Sequence, residues 1–274
     1  MLNATSRHSL PLLVFADDWG RHPSSCQHLV HQLLDRHPTL WVNTIGTRKP
    51  SFNLATLRRG AEKLRHWFSA ARASDSLPAN LRIRNPRMWP SFSSSFGRWL
   101  NRRLLARQLG PRLRELPVPP VAVTTLPIVA DLIGVLPVRR WVYYCVDDFS
   151  EWPGLDGETL RRMEEDLVAK ADTLIAVSAT LQKKLARMGR SAHLLTHGVD
   201  LDFWKARSVG ESPPSLVGLE RPLVIFWGVV DRRMDIDFVR QLDGAMTSGT
   251  IVLAGPSADP DPALAALPRV VRLG

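Results

Sequence analysis

Cysteines and long hydrophobic runs are scarce in this sequence of 274 residues. Its two cysteines, Cys26 and Cys145, lie far apart without metal-ligand spacing, which argues against a disulfide scaffold or a zinc site and favours reduced thiols. No apolar run approaches the ~20 residues that span a bilayer, and Met1–Leu10 is polar and too short for a signal peptide. We therefore expect a cytoplasmic protein without a metal site.

Acidic residues are scarce in one part of the chain. Between Arg48 and Arg114, sixteen lysines and arginines accompany only Glu62 and Asp75. This segment carries a net charge of +14 in a chain whose total is +10, so the remainder is slightly acidic. Such asymmetry predicts an anionic partner, which could be a membrane surface, a nucleic acid or a phosphorylated substrate.

Two basic helices are predicted inside this segment. The first covers residues 54–71, where apolar residues recur at helical spacing, and the second lies near Phe96–Leu109 with Phe96 and Trp99 beside arginines. A basic helix with aromatic residues on its apolar flank suits an anionic membrane interface. The same pattern also fits a core-facing helix with solvated arginines. Nucleic acid is the least favoured partner, because no zinc-finger, RNP-like or GXXG motif is present.

A strand–helix–strand pattern follows the basic segment. The apolar run Thr173–Val177 predicts a buried parallel strand, and Ser178 occupies the N-cap position of a helix over Ala179–Met188. Gly189 is placed to end that helix in a left-handed conformation, and a second apolar run covers Ala192–Thr196. The pattern is typical of a βαβ unit in a doubly wound, Rossmann-like α/β fold, in which ligands bind at the carboxyl ends of the strands.

The remaining elements divide between two predicted domains, 1–205 and 222–274, with a linker over 206–221 whose composition is rich in proline and glycine. In the first domain we predict strands at Leu10–Ala16, Leu40–Ile45, Val121–Thr125 and Trp141–Val146, helices at Cys26–Arg36, Ile128–Ile133 and Glu158–Lys170, and a proline-rich link at Pro111–Pro120. In the second we predict strands at Leu223–Trp227, Thr250–Ala254 and Val270–Leu273, and a helix at Asp235–Leu242.

Two pairs of motifs lie at the predicted strand ends. Asp172–Ser178 is followed by His197–Phe203, which begins His-Gly-Val-Asp, and Tyr143–Phe149 is followed by Trp152–Gly154. The first pair resembles the end of the N-terminal domain of GT-B glycosyltransferases, notably the retaining family 4, which usually has Asn where this chain has His197. The second pair resembles bacterial family 4-like enzymes that act on surface polysaccharides.

This resemblance implies a hexosyl-type transfer from a nucleotide-diphosphate sugar to a cell-surface polysaccharide or a lipid-linked acceptor. The first domain would hold the acceptor and the second the donor, with no metal and no cofactor besides the sugar nucleotide. The protein would be cytoplasmic, or peripheral on the inner face of the plasma membrane. The alternative is a non-catalytic, membrane-peripheral binding module with a Rossmann-like domain.

Candidate acceptor-side residues follow two strands. Asp17, Asp18 and Trp19 come directly after the first strand and could bind a sugar hydroxyl, or simply turn the chain. Asp147 and Asp148 close the Tyr-Tyr-containing strand and are the candidate catalytic carboxylates. Because adjacent strand residues point to opposite sides, only one is expected to face the crevice, and we favour Asp148.

Candidate donor-binding residues are Gly228, Arg232, Arg233 and His197. A glycine at a strand tip lets the backbone approach a phosphate closely, and two arginines could neutralise a diphosphate. The resembled family usually has Gly-Arg and then Lys-Gly here, whereas this chain has Gly228-Val229 and no Lys-Gly. The family's acidic donor pair would lie beyond Gly274, so we expect a C-terminally truncated, incomplete second domain and regard activity of this chain alone as doubtful.

Overall fold

The computed structural model describes residues 9–21, 24–43, 77–205, 210 and 212–273. The predicted basic helix over 54–71 lies outside these residues. The chain divides into two compact units, 1–199 and 200–274. The predicted domain bounds of 1–205 and 222–274 stay a prediction.

The first unit is built on one parallel sheet of seven strands in the order β3-β2-β1-β4-β5-β6-β7. This order is the doubly wound arrangement, so the predicted Rossmann-like α/β fold is confirmed. The strands are β1 Leu12–Ala16, β2 Thr39–Asn43, β3 Leu81–Arg84, β4 Val121–Thr124, β5 Arg140–Cys145, β6 Thr173–Ala176 and β7 His193–Leu194. The helices are α1 Ser25–Leu33, α2 Ser95–Arg114, α3 Gly157–Lys170 and α4 Ala179–Arg187, with 3₁₀ turns at Pro127–Leu132 and Phe149–Glu151.

The core of this unit is centred on β1. Leu13, Val14 and Phe15 are fully buried, and Val14 pairs with Trp41 of β2 on one side and Val123 of β4 on the other. Because both faces of the sheet are covered, a central strand must be apolar at every position rather than at alternate ones. This explains why an unbroken apolar run marks the strand in the sequence.

Local capping defines the predicted βαβ unit. The Ser178 hydroxyl accepts a hydrogen bond from the backbone N–H of Leu181 at 3.2 Å, as an N-cap residue does. Gly189 has a φ of +86° just after α4, which only glycine adopts without strain. Both predicted ends of this helix are confirmed.

Two predictions in the basic segment were incomplete. The link predicted over Pro111–Pro120 is wrong in its first residues, because α2 continues through Pro111 to Arg114. Pro111 is exposed while Leu113 is buried beside Leu109, so packing of the last turn outweighs the hydrogen bond that proline cannot donate. Strand β3, Leu81–Arg84, was not predicted, because every second residue in it is an arginine and no apolar run marks it.

The second unit contains two small parallel sheets, ordered β12-β10-β8 and β11-β9. The predicted strands β8 Leu223–Trp227, β10 Thr250–Ala254 and β12 Val270–Leu273 are confirmed, as is the helix now numbered α6, which spans Ile236–Ala245. The remaining elements are β9 Val230–Asp231, β11 Ser257–Ala258, α5 Leu201–Lys205, and 3₁₀ turns at Pro214–Leu216 and Pro262–Ala266.

Two glycines allow β8 and β10 to end side by side. Gly228 and Gly255 both have positive φ, +152° and +138°, and a Cβ on Gly255 would lie 2.2 Å from the Gly228 carbonyl oxygen. The Gly228 N–H donates to the Ala254 carbonyl at 2.9 Å. The backbones at Gly228 and Gly255 are therefore in contact, and a side chain on Gly255 would force them apart.

Replacing Gly255 with alanine should destabilise the second unit by at least about 2 kcal/mol, because backbone strain and the clash with Gly228 add together. Urea unfolding measures this change. Gly244→Ala is the matched control: Gly244 lies in α6 with open space where a Cβ would stand, so alanine should raise stability by roughly 0.5–1 kcal/mol. Equal stability of the two variants would contradict the close approach.

Candidate functional site

The strand order of the first unit reverses beside β1. The chain leaves β1 toward β2 on one side, whereas β4 flanks it on the other, and ligands bind outside the carboxyl ends of strands where the order reverses in this way. Asp17 and Asp18 follow β1, and Asp147 and Asp148 follow β5. With one strand, β4, between them, the two strand ends that precede these pairs lie about 10 Å apart by strand spacing.

The loop after β1 is fixed through its backbone. The indole N–H of Trp41 donates to the Asp17 carbonyl at 3.0 Å, and the Asn43 side-chain oxygen accepts from the Trp19 N–H at 3.0 Å. The rings of Trp19 and Trp41 meet edge to face with centroids 4.8 Å apart. Side chains at the end of β2 thus hold the loop that carries the candidate acceptor residues.

The carboxylates of this loop lie at the surface. Asp17 is exposed and Asp18 is partly exposed, with Asp18 forming a 3.5 Å ion pair with Arg21. Gln27 of α1 accepts from the Gly20 N–H at 3.1 Å and donates to the Asp18 carbonyl at 3.4 Å. The loop therefore presents two carboxylates on a held backbone, a geometry that suits hydrogen bonding to hydroxyl groups.

A charged cluster connects the end of β5 to two helices. The Lys184 ammonium donates to Asp148 at 2.7 Å and also to Glu164. Ser150 donates its hydroxyl proton to Asp148, and the Tyr143 hydroxyl donates to Glu164 at 2.8 Å. Glu164 is only 2% exposed, so Lys184 supplies the positive charge that makes its burial tolerable.

The cluster sets the protonation of both ends of the ion pair. Burial opposes ionisation of Asp148, but hydrogen bonds from Lys184 and Ser150 outweigh it and hold the pKa of Asp148 below its ordinary value. Burial likewise opposes the charge on Lys184, yet Asp148 and Glu164 raise the pKa of Lys184 above its ordinary value. Asp148 is therefore an ionised hydrogen-bond acceptor at neutral pH and a weak proton acceptor.

The other candidate carboxylate of this strand end, Asp147, has a different environment. Its side chain accepts a hydrogen bond from the backbone N–H of Asp148 at 2.8 Å, and the residue is partly exposed. Asp147 and Asp148 both lie in the loop that follows β5. Their catalytic role stays a prediction.

Lys184 and Glu164 were not among the residues predicted from the sequence. The signal for Glu164 was present: it falls in the apolar stripe of α3 between Met163 and Leu167, which are both buried. A carboxylate in a buried stripe requires a partner. Nothing local in the sequence identifies that partner as Lys184, because the contact joins two separate helices.

The candidate donor-binding arginines lie in the second unit and have carboxylate partners there. Arg232 forms a 2.6 Å ion pair with Asp259, and both side chains are largely exposed. Arg233 donates from its backbone N–H and its guanidinium to Asp231, which is 7% exposed, and these bonds hold the pKa of Asp231 below its ordinary value. Arg232 is therefore much easier than Arg233 to redirect toward a ligand, since solvent screens an exposed ion pair and leaves it little net stabilisation.

The other two candidate donor residues are placed differently. The Gly228 N–H already donates to the Ala254 carbonyl, so it is used within the fold. What the glycine offers a ligand is close approach to the backbone. His197 belongs to the first unit and is exposed three residues after β7. Among the described residues, no group of three or more His, Cys, Asp or Glu could hold a metal ion, and no helix there is long and apolar enough to cross a membrane.

Removing the central cation of the cluster tests its structural role. Lys184→Met should destabilise the protein by about 3–5 kcal/mol, because Glu164 is left as a buried charge without its counter-ion. Adding Glu164→Gln should recover part of that loss. Arg161→Met is the control: Arg161 pairs with Glu158 and Glu165 on the surface of α3, so its loss should cost much less stability than the loss of Lys184. Equal losses in chemical denaturation for the two single variants would refute the cluster.

Acid should weaken the same cluster. Because the folded-state pKa of Asp148 is depressed, its contribution to stability is present above the unfolded pKa of about 3.9 and is lost as pH falls through the lower folded value. The difference in unfolding free energy between the native protein and Asp148→Asn should shrink in this range. Unfolding curves from about pH 6 to about pH 2 measure it, and a constant difference would contradict the shift.

Comparison with known proteins shows likeness in fold. No protein-family model and no curated protein matches the sequence. Among solved structures, a trehalose-6-phosphate synthase from E. coli bound with UDP-2-fluoro glucose has a TM-score of 0.54 and 11% identity, covering 96% of this chain and 73% of that one. A UDP-glucosyltransferase from Polygonum tinctorium has a TM-score of 0.48 and 12% identity, covering 98% and 71%.

These structural neighbours are GT-B glycosyltransferases. At such low identity the likeness concerns the fold, and it extends over nearly the whole chain. It agrees with the parallel seven-stranded sheet of the first unit and the parallel strands of the second. The chain therefore has the Rossmann-like α/β fold of the GT-B type.

Proposed function

We propose that this protein is a glycosyltransferase that moves a sugar from a nucleotide-diphosphate sugar to a cell-surface polysaccharide or a lipid-linked acceptor, working at the inner face of the plasma membrane. The observation that supports it most is that carboxylates lie at the strand ends of a glycosyltransferase-like fold. A fold shared with an enzyme bound to a UDP-sugar places carboxylates at the ends of β1 and β5, beside the position where the strand order reverses.

In this proposal the first unit binds the acceptor. Asp17 and Asp18 hydrogen-bond hydroxyl groups of the acceptor sugar, with Trp19 beside them. Asp148, kept ionised by Lys184, orients the attacking hydroxyl by accepting a hydrogen bond from it. Its low pKa makes removal of a proton from the unreacted hydroxyl inefficient, so the proton passes to the Asp148 carboxylate only late, when the new bond to the anomeric carbon has made the hydroxyl acidic.

The second unit binds the donor. As the bond between the anomeric carbon and the diphosphate breaks, negative charge grows on the leaving group, and stabilising this charge is the main catalytic need. Arg232 can exchange Asp259 for a diphosphate at little cost, because both partners are exposed. Arg233 forms several hydrogen bonds with Asp231. In the proposal it therefore stabilises the loop and adds positive charge near the diphosphate. His197 is proposed to contact the donor, with the sugar nucleotide as the co-substrate and no further cofactor.

Donor binding should depend on Arg232. Arg232→Ala should weaken binding of a nucleotide-diphosphate sugar by about 10-fold or more, because it removes a hydrogen bond between charged groups. Thermal stabilisation by a panel of nucleotide sugars identifies the donor, and titration with that donor measures the affinity. Release of the nucleoside diphosphate in the presence of acceptor measures transfer.

Two controls separate binding from folding. Arg240→Ala removes another exposed arginine of the same unit, which pairs with Asp237 at 2.8 Å, and should leave donor affinity unchanged. Arg233→Ala should lower stability as well as affinity, because it removes the partner of Asp231. The proposed function is wrong if no nucleotide sugar stabilises the native protein and no diphosphate is released.

A further inference from the structure

The described part of the basic segment has many arginines and no acid. Residues 77–114 contain no Asp, Glu or Lys and nine arginines, which are Arg82, Arg84, Arg87, Arg98, Arg102, Arg103, Arg107, Arg112 and Arg114. Arg98 is neutralised within the fold, since it donates twice to Asp131 and once to Asp166. The other eight are exposed. The segment therefore carries a concentrated positive charge, and among its described arginines a carboxylate partner is found for Arg98 alone.

Helix α2 separates a packed side from an open side. Leu105, Leu109 and Leu113, spaced four residues apart, are buried in the core of the first unit. On the open side Phe96 is 64% and Trp99 47% exposed, with exposed arginines one turn further along. We call the exposed set Phe96, Trp99, Arg102, Arg103 and Arg107 the α2 surface. Within the described residues, its arginines form no ion pair with a carboxylate.

The aromatic and cationic groups of the α2 surface contact one another. The rings of Phe96 and Trp99 stack with centroids 5.8 Å apart, and the Arg103 guanidinium lies 5.2 Å from the Trp99 ring centroid. A surface cavity of about 270 Å³ is lined by Trp99, Arg102, Arg103, Ala106 and Val135. It combines an apolar floor with two cations, which is the chemistry of a site for an amphipathic anion.

Two amide side chains hold a neighbouring segment against α2. Asn101 accepts from the Trp89 N–H at 2.6 Å and donates to its carbonyl at 3.0 Å. Gln108, two turns later, bonds the N–H and carbonyl of Arg87 in the same way, at 2.8 Å each. This pairing fixes exposed Trp89 and Arg87 beside the helix. The exposed basic and aromatic residues of α2 are thus continued by Arg87 and Trp89 on the neighbouring segment.

We propose that the α2 surface docks on a bilayer that contains anionic phospholipid. The arginines match the negative headgroups, and Phe96 and Trp99 enter the interface where amphipathic and aromatic side chains are stabilised. Nucleic acid fits less well, because base stacking needs open ring faces and the Phe96 ring and the Arg103 guanidinium already lie against the Trp99 ring. Docking is independent of sugar transfer and would hold even if the proposed enzymatic function fails.

Vesicle flotation tests the docking. Vesicles of equal parts phosphatidylglycerol and phosphatidylcholine should bind the full chain, whereas phosphatidylcholine alone should not. Arg102→Gln/Arg103→Gln should lower the partition coefficient about 25-fold, or about fivefold for each arginine, which is the effect of about 1 kcal/mol per basic residue near a charged surface. Phe96→Ser/Trp99→Ser should weaken binding without changing its salt dependence.

The matched control is Arg161→Gln/Arg162→Gln, which removes the same charge from exposed positions of α3, where acidic residues surround the arginines. It should change the partition coefficient by less than about twofold if local contact rather than net charge decides binding. Thermal unfolding checks that each variant is folded, and all of them should keep the response to a nucleotide sugar. The proposal is overturned if the control loses as much binding as the α2 variants, if inorganic phosphate displaces the protein from vesicles, or if single-stranded RNA binds the same surface more tightly than vesicles do.

Discussion

The first unit depends on the burial of one strand, β1, on both faces and both edges. Strands β2 and β4 pair with it from opposite sides, and its three central side chains have no contact with water. A strand in that position can carry polar residues only beyond its end. The carboxylates Asp17 and Asp18 follow immediately. The constraint that makes β1 apolar therefore also confines its polar side chains to the carboxyl end of the strand, where ligands bind in this fold.

Ion pairs then hold another strand end, that of β5, in place. Lys184 links Asp148 to the buried Glu164, which ties the loop after β5 to helices α3 and α4. A second connection, Arg98 with Asp131 and Asp166, ties α2 to the turn after β4 and to α3. Most of the positive charge of helix α2 is left without a carboxylate partner by this arrangement, since within the described residues Arg98 alone of its arginines forms ion pairs.

The proposed activity and the proposed docking use different parts of one architecture. Sugar transfer needs strand ends that present carboxylates and arginines, while docking needs a helix side that the sheet does not cover. A protein that acts on lipid-linked or cell-surface acceptors would benefit from both, because docking raises the local concentration of acceptor at the membrane. The two properties remain separable by experiment, because they involve no common residue.

Local patterns in the sequence were enough for most of the fold. Apolar runs such as Thr250–Ala254 match observed strands residue for residue, and Ser178 and Gly189 bound α4 as expected. These signals are local, since capping, left-handed glycines and burial of a whole strand leave their mark within a few residues. Where arginines interrupt the pattern, as in β3, or packing extends a helix beyond a proline, as in α2, the local signal failed.

Only the tertiary structure decided how the candidate site is built. The sequence placed Asp148 and Arg232 at strand tips, but not the partners that restrain them: Lys184 lies 36 residues from Asp148 and Asp259 lies 27 residues from Arg232. The strand order β3-β2-β1-β4-β5-β6-β7 likewise has no local signature. Such contacts join residues that are distant along the chain, and their energies exist only after the sheet has brought those residues together.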